Sequence, residues 1–313
     1  MTLTSVPGIR VGHAEVPGGG SGCTVIRGPF RGAVAVRGMA TGTRELDVLS
    51  PRHLVEKVHA LLLTGGSAFG LAAADGVMEC LQEEGEGFET GVEKVPLVPA
   101  AVIFDLAPGV DRPGREEGRL AASLASGDPV AEGRVGAGAG ARVGKLLGSD
   151  GSSPGGLGGA SAPWADGRVA ALAVVNALGD VVAEDGRVLA GARDPDGGHP
   201  GSDKVVLDGS SEGSGLPGSN TTLAVVATDL PLGRVDLSRV AEMASAALPR
   251  AISPVNTPFD GDLVFALSTA ADYIAVRPEE ILAVGVLART LTEEAIRRAV
   301  APVAAADPEE PGP

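Results

Sequence analysis

The sequence predicts an α/β fold in which helices pack on sheets. Continuous aliphatic runs such as His59–Thr64 have no polar face, which is typical of strands buried on both sides. These runs alternate with Ala-rich segments whose apolar residues recur at helical spacing. Because 44% of the 313 residues are hydrophobic, we expect the chain to bury a substantial core, as a single domain over residues 1–313.

The strands are predicted from short apolar runs. Gly22–Arg27 and Gly32–Arg37 are predicted as a strand pair, and Val95–Phe104 as a strand or strand pair. The most apolar runs, which we expect at the centre of a sheet, are Arg168–Leu178, Thr221–Asp229 and Asp262–Thr269.

The helices are predicted from apolar periodicity. In Ala68–Glu84 the apolar side chains recur every three or four residues, and Gly85 follows as an end signal. Pro278 stands at the start of the longest predicted helix, where its fixed φ angle is favourable. The remaining predicted helices are Glu116–Ala125, Leu237–Leu248 and Glu279–Val300.

Composition argues against several classes of partner. The net charge is −15 and only 3% of residues are aromatic, so neither nucleic acid nor an anionic membrane surface is an expected partner. No apolar run is long enough to span a bilayer, and the first residues lack the pattern of a secretory signal, so a cytoplasmic location is expected. The two cysteines are too few for a disulfide framework, and the four histidines show no metal-ligand spacing.

One segment differs from the rest of the chain. Residues 194–220 are rich in Gly, Ser, Asp and Pro, which predicts a flexible loop or linker. They lead directly into the apolar run that begins at Thr221, an unusual transition. The last residues, 305–313, have the composition of a disordered tail.

Two phosphate-binding patterns are incomplete. Gly136–Ala141 satisfies G-x-G-x-x-A, but no clear strand precedes it, which argues against dinucleotide binding. Gly144-Lys145 occurs without the first Gly and the Ser or Thr of a phosphate loop.

Ser67 is the first candidate nucleophile. The strand His59–Thr64, the turn Gly65-Gly66-Ser67 and the following helix imitate a nucleophile elbow, with Asp105 and His199 available for a triad. The elbow pattern would need Gly where Phe69 stands. The alternative is a tight turn that needs close backbone approach or in which Ser67 caps the helix.

Thr221 is the second candidate. A Thr hydroxyl needs an adjacent base, and an N-terminal Thr carries one in its own α-amine. Such a residue would arise if the Thr221 hydroxyl attacked the Asn220 carbonyl and the resulting ester were hydrolysed. The alternative is that Thr221 and Thr222 simply begin a strand.

The sequence resembles the L-aminopeptidase/D-esterase (DmpA-like) family of self-cleaving N-terminal-nucleophile hydrolases. The resemblance covers most of the chain outside residues 194–219 and the tail. Its segments are VPGIRVGH (6–13), GCTV (22–25), GTRE (42–45), LTGGSAFGLAAADGVM (63–78), VGAGAGARVGK (135–145), GGLGGAS (155–161), AVVNALGDV (173–181), NTTLAVVATD (220–229) and DGDLVFALST (260–269).

The resemblance implies an αββα four-layer sandwich, as in the ornithine acetyltransferases, and cleavage into fragments 1–220 and 221–313. It makes Thr221 the nucleophile, where other members have Ser, and Asn176 a donor to the oxyanion. Without it, Asn176 could equally be a residue of a strand-end turn. The family's polar pair falls on Asp260 and Asp262, which would position the base or, alternatively, form a turn into the next strand.

The resemblance also indicates the substrate pocket. Gly65, Gly66, Ser67, Gly136 and Gly138 are expected to line it by close backbone approach. The family's aminopeptidases carry acidic and aromatic groups around the strand that here reads Ala100–Phe104. This strand is apolar, which argues against recognition of a substrate amino group.

The function expected is hydrolysis of a small amide, short peptide or ester without metal or organic cofactor, by a homo-oligomer of processed heterodimers. Three alternatives stay open: an acyltransferase of the ornithine-acetyltransferase type, a serine hydrolase centred on Ser67, and a non-catalytic oligomer that binds a metabolite.

Overall fold

Nine strands of the described residues form one large sheet that is folded so that its two halves face each other. The structure, a computed structural model, describes residues 2–210 and 220–304. The strand order is β10-β11-β14-β16-β2-β4-β7-β3, with β1 paired to β2.

The strands are short except for β2, β10 and β11. Their bounds are β1 Arg10–Glu15, β2 Gly22–Val36, β3 Thr43–Arg44, β4 Lys57–Thr64, β5 Phe88–Glu89, β6 Lys94–Val95, β7 Ala100–Val102, β8 Arg142–Val143, β9 Ser153–Pro154, β10 Gly156–Trp164, β11 Gly167–Asn176, β12 Asp180–Val182, β13 Val188–Ala190, β14 Thr221–Thr228, β15 Ile252–Ser253 and β16 Leu263–Ser268.

Two pairs of helices cover the sheet. Helices α1 and α2 pack against each other, and α4 packs against α6. The bounds are α1 Ala73–Glu83, α2 Arg115–Ser123, α3 Ser202–Leu207, α4 Arg234–Ser245, α5 Leu248–Ala251 and α6 Pro278–Ala304. Each helix predicted from the sequence is present, although the start of the predicted Ala68–Glu84 helix is a 3-10 turn, Ser67–Ala72.

Three apolar clusters separate four layers, which gives the αββα sandwich. Val226 of β14 packs with Ile296 of α6 in the first cluster. Phe265 of β16 and Leu61 of β4 belong to the second cluster, between the two halves of the sheet. Leu62, the next residue of β4, belongs to the third cluster, under α1 and α2. Successive β4 residues thus point to opposite faces and both faces are buried, which explains the continuous aliphatic run.

The predicted strand pair Gly22–Arg27 and Gly32–Arg37 is wrong. The two segments are one 15-residue strand, β2, whose register against β4 shifts between Arg27 and Phe30. The first part of β2 pairs with β1 and β4, and its last part pairs with β16. The strand therefore passes from one half of the sheet to the other, and the glycine and proline at its centre mark this transition rather than a hairpin turn.

The predicted flexible segment 194–220 contains a short helix, Ser202–Leu207. Val205 of this helix is buried against Leu146 and Leu178, so the segment does contribute to the packed interior. Residues 211–219 and the predicted tail 305–313 lie outside the described residues.

Strand β14 lies between two neighbours near the middle of the sheet. It pairs antiparallel with β11, which places Asn176 opposite Thr221, and parallel with β16. An isolated parallel bridge between Asn220 and Asp260 extends the second pairing beyond the strand ends. These two registers bring together residues from three distant parts of the sequence.

In the described part of the chain, none of the helices has both the length and the apolar character needed to cross a membrane.

The contact between α1 and α2 requires glycine. A Cβ at Gly118 would lie 1.9 Å from the Ala73 carbonyl oxygen, whereas a Cβ at Gly127 would meet nothing within 4 Å. We expect Gly118→Ala to lower the free energy of unfolding by about 1–3 kcal/mol through overpacking, despite the higher helix propensity of Ala. Urea denaturation measures the change, with Gly127→Ala as the control. Equal stability of the two variants would contradict this packing.

Candidate active site

Thr221 lies against the peptide bond that precedes it. Its hydroxyl donates a hydrogen bond to the Asn220 carbonyl oxygen at 2.5 Å. Thr221 is 3% exposed and Asn220 is fully buried. The hydroxyl oxygen is thus held beside the carbonyl group that it would attack in self-cleavage.

The backbone of Gly261 contacts the same carbonyl. The Gly261 N–H donates to the Asn220 oxygen at 2.8 Å. A Cβ at Gly261 would lie 2.9 Å from Thr221 Oγ1 and 2.7 Å from the Ala40 carbonyl oxygen, so only glycine fits here without displacement. A backbone donor on this oxygen stabilises negative charge that develops there.

Asn176, the cross-strand partner of Thr221, has a defined amide orientation. Its Oδ1 accepts hydrogen bonds from the Lys145 ammonium at 2.8 Å and from the Arg142 N–H at 3.1 Å. Its Nδ2 donates to the Phe104 carbonyl oxygen at 3.0 Å. Because two donors hold the oxygen, the nitrogen side of the amide faces the opposite direction. Asn176 is the last residue of β11 and is 1% exposed.

Lys145 is the residue of this site that sequence reasoning missed. Besides Asn176 Oδ1, its Nζ donates to the Asn176 carbonyl oxygen at 3.0 Å. Burial lowers the pKa of Lys145 to about 7, against the opposing effect of the Asp260 and Asp105 charges. An amine with this pKa is partly neutral near neutral pH and can accept a proton. The available signal was a single lysine in an otherwise apolar segment, VGKLL.

Asp260 and Asp262 are both buried, and the Asp260 N–H donates to the Thr257 carbonyl oxygen in the segment that leads into β16. Asp262 Oδ1 accepts from the Thr222 N–H at 2.6 Å, one residue beyond Thr221. Asp260 Oδ2 accepts from the Thr257 hydroxyl at 2.6 Å. Burial raises the pKa of both carboxyls, and the Asp260 charge contributes further to raising the pKa of Asp262 to about 7. Asp262 therefore holds the backbone at the start of β14.

Ser67 has elbow-like backbone geometry but no base. Its φ angle is +53°, which is strained for a residue with a side chain. The Asp105 carboxylate accepts from the Gly66 N–H, and His199 Nδ1 hydrogen-bonds to the Ala192 carbonyl instead of to Asp105. No hydrogen bond among the described residues engages the Ser67 hydroxyl, so it neither caps the helix nor joins a triad. The tight-turn interpretation holds for Gly65, because a Cβ there would lie 2.3 Å from Ser21 Oγ.

Within residues 2–210 and 220–304, no three His, Cys, Asp or Glu side chains come together as a metal site would require.

A cavity of about 580 Å³ opens beside Asn176. Its lining differs from the sequence prediction, because Gly140 contributes to the wall and Gly65, Gly66, Ser67, Gly136 and Gly138 do not. Gly65 and Gly66 instead pack behind Asp105, which does line the cavity. A Cβ at Gly138 would lie 2.7 Å from the Leu157 nitrogen, so this glycine permits close packing on β10. The lining residues are Gly20, Phe104, Asp105, Leu106, Ala107, Val110, Arg134, Gly140, Arg142, Lys145, Gly148, Ser149, Asp150, Ser152 and Asn176.

Comparison with known proteins identifies relatives along the whole chain. The family model of Peptidase family S58 matches residues 2–308. A protein named as an uncharacterized aminopeptidase of Mycobacterium tuberculosis is 42% identical over 308 residues, covering 89% of this chain and 83% of that protein. A 6-aminohexanoate-oligomer endohydrolase of Paenarthrobacter ureafaciens is 33% identical over 276 residues, covering 86% of this chain and 75% of the relative.

A solved structure has the same fold. The L-aminopeptidase D-Ala-esterase/amidase of Ochrobactrum anthropi, described as a variant of the Ntn hydrolase fold, superposes with a TM-score of 0.70 at 20% sequence identity. The match covers 95% of this chain and 85% of that chain. The sandwich architecture is therefore that of the Ntn hydrolases.

The raised pKa of Asp262 predicts a pH-dependent stability. Unfolding lowers its pKa from about 7 toward 3.8, so stability falls as pH rises through this range and the cost is complete above pH 7. Asp262→Asn removes that cost. Both chains compared also carry Thr221→Ala, which prevents self-cleavage. We expect the free energy of unfolding of the Asp262→Asn chain, measured relative to its parent, to increase by on the order of 2 kcal/mol when the pH is raised from 5 to 8. Urea denaturation at both pH values measures the difference. A difference in free energy of unfolding that is the same at both pH values would contradict the raised pKa of Asp262.

Proposed function

This chain belongs to peptidase family S58, and we propose that Thr221 is its nucleophile. Membership of the family makes the chain a hydrolase of the aminopeptidase and amidohydrolase type. We propose further that the chain creates its nucleophile by cleaving itself before Thr221. The observation that carries the proposal is the position of the Thr221 hydroxyl, 2.5 Å from the oxygen of the Asn220 carbonyl, which also accepts the Gly261 N–H.

Self-cleavage begins with attack of Thr221 Oγ1 on the Asn220 carbonyl carbon. The Gly261 N–H holds the oxygen as it gains negative charge. Oγ1 loses its proton as it bonds to the carbon, and this proton passes to the Thr221 nitrogen when the carbon–nitrogen bond breaks. The products are a free amine on Thr221 and an ester that joins Asn220 to Thr221 Oγ1. Water hydrolyses this ester, which leaves a carboxylate on Asn220 and a free N-terminal Thr221.

The processed site uses the same groups on a substrate. The α-amine of Thr221 accepts the hydroxyl proton while Oγ1 attacks the substrate carbonyl. The amine then passes this proton to the leaving amine or alcohol as the substrate bond breaks. Water hydrolyses the ester left on Oγ1, which releases the acid and restores the hydroxyl. We assign to Asn176, whose Oδ1 is held by Lys145, the role of donating from Nδ2 to the oxyanion. Removal of one such donor typically costs about 2.7–4 kcal/mol in the activation barrier. Asp262 accepts the Thr222 N–H and so holds the backbone next to the nucleophile.

The two fragments stay together after the cut. Fragment 221–313 supplies β14 and β16, which are hydrogen-bonded to β11 and β2 of fragment 1–220. Separation would expose the apolar clusters on both faces of the sheet. The processed protein is thus a heterodimer that behaves as one folded unit, which we place in the cytoplasm.

The substrate class follows from the chemistry and the size of the site. Relatives are named for aminopeptidase and oligomer endohydrolase activities. The cavity beside Asn176 has the volume of a small-molecule site. We therefore propose a small amide, short peptide or ester as the substrate.

Processing is tested by mass spectrometry of the purified protein. We expect the wild type to yield fragments 1–220 and 221–313, the second of 313 − 220 = 93 residues. Thr221→Ala removes the hydroxyl and should leave one intact, inactive chain, whereas Thr221→Ser should still be cleaved.

The matched control is Thr222→Val. It removes the neighbouring buried hydroxyl, which has no hydrogen-bond partner among the described residues, and we expect cleavage to continue. Cleavage of the Thr221→Ala chain at the same bond would reject Thr221 as the nucleophile.

A further inference from the structure

Three basic side chains line the cavity beside Asn176. They are Arg134, Arg142 and Lys145. Arg134 and Arg193 are close enough to Arg142 to lower its pKa by charge repulsion, after the larger effect of burial. Basic groups brought this close repel one another and are stabilised when an anion lies between them.

The guanidinium of Arg142 is held rigidly. Its Nε donates to Ser152 Oγ at 2.5 Å, and its Nη2 donates to the carbonyl oxygens of Ser149 and Ser152 at 2.9 and 2.8 Å. Its Nη1 has no hydrogen-bond partner among the described residues. The entropy cost of ordering this side chain is thus paid before a ligand binds, which favours recognition of a carboxylate.

Arg134 has further unused donors. Its Nε donates to the Ala139 carbonyl oxygen at 3.0 Å. Neither Nη1 nor Nη2 of Arg134 has a hydrogen-bond partner in the parts of the chain that the structure describes. Two arginines of one cavity therefore present N–H groups that the protein itself does not satisfy.

The acidic groups of the cavity do not cancel this charge. Asp105 and Asp150 are its acidic lining residues. Asp105 is buried and its carboxylate accepts the Gly66 N–H, so the protein itself engages this group, and burial raises its pKa. The Asp150 charge raises the pKa of Arg142, which only partly offsets the lowering by burial and by the neighbouring arginines. The cavity therefore has an excess of basic groups beside an apolar wall formed by Leu106, Ala107 and Val110.

We propose that this cavity selects substrates that carry a carboxylate, bound by Arg142 and Arg134, with an aliphatic spacer between the carboxylate and the scissile amide or ester. This inference rests on the proposed function and names its substrate class. A substrate ammonium group would be repelled by the same arginines, so the activity differs from that of an enzyme that requires a free amine.

Binding tests the inference without requiring turnover. Isothermal titration of the purified protein with glutarate, pentan-1-ol and 5-aminopentan-1-ol compares five-carbon ligands that end in a carboxylate, a methyl group or an ammonium group, and only glutarate carries a carboxylate. We expect glutarate to bind at least tenfold more tightly than either of the others, and its advantage to fall in 1 M NaCl through screening. Equal binding of glutarate and pentan-1-ol, or preference for 5-aminopentan-1-ol, would overturn the proposal.

Turnover of the matching p-nitroanilides tests the same preference in catalysis. We expect kcat/KM to be at least tenfold higher for glutaryl p-nitroanilide than for pentanoyl p-nitroanilide, and lowest for 4-aminobutanoyl p-nitroanilide. The difference should lie mainly in KM, because the carboxylate is bound away from the reacting carbonyl. The highest kcat/KM for the 4-aminobutanoyl substrate would contradict the proposal.

Variants identify the residues responsible. Arg142→Gln should bring the ratio of the affinities for glutarate and pentan-1-ol close to one, Arg142→Lys should retain part of the preference, and Arg134→Gln should lower it less. Arg239→Gln is the matched control, because Arg239 is exposed on α4, which contributes no residue to the cavity. An unchanged ratio in both Arg142→Gln and Arg134→Gln would overturn the assignment.

The outcomes separate this inference from the proposed function. Arginine-dependent binding of glutarate by a chain that is never cleaved supports the anion site and rejects the Thr221 mechanism. Cleavage before Thr221 with no preference for glutarate supports the mechanism and rejects the anion site.

Discussion

Strand β14 is hydrogen-bonded on both sides, antiparallel to β11 and parallel to β16, and this pairing determines where the polar groups of the site lie. The antiparallel register places Asn176 opposite Thr221. The parallel register, continued by the Asn220–Asp260 bridge, brings the Gly261 N–H to the carbonyl before Thr221. A slip of one residue in either pairing would turn these side chains to the opposite face of the sheet, so the apolar packing on both faces also maintains the geometry of the site.

The site places three ionisable side chains in the interior of the protein. Burial raises the pKa of Asp260 and Asp262 and lowers that of Lys145, since each shift favours the uncharged form. Such groups reduce stability, and shifted pKa values of this kind cluster at functional sites. The shifts also bring Lys145 and Asp262 into the neutral range, where a proton can move at little cost.

Sequence reasoning found the central strands because their aliphatic runs are long and buried on both faces, as in β4 and β14. It divided β2 in two because a glycine and a proline inside a strand look like a turn, and only the shift in partners from β4 to β16 reveals one continuous strand. Chemistry and the abrupt transition at Thr221 make this residue a candidate nucleophile, and the family resemblance favours it over Ser67. Asn176 is indicated by the resemblance, since an Asn at a strand end is not distinctive in isolation. In the sequence, Lys145 stands out only as part of an incomplete phosphate-loop pattern. Its position beside Asn176 depends on a turn whose path a single sequence does not determine. The glycines predicted to line the cavity serve instead in backbone packing, which produces the same sequence pattern.

The hydroxyl groups of Ser67 and Thr221 are the two candidate nucleophiles, and they differ in their surroundings. Ser67 has a strained backbone but no histidine partner, whereas Thr221 lies among donors and ionisable groups in a rigid sheet. A fluorophosphonate that reacts with activated hydroxyls, followed by peptide mapping of the labelled protein, distinguishes them directly. We expect a single adduct, on the N-terminal Thr221 of the 93-residue fragment. An adduct on Ser67, with Thr221 unlabelled, would contradict this expectation.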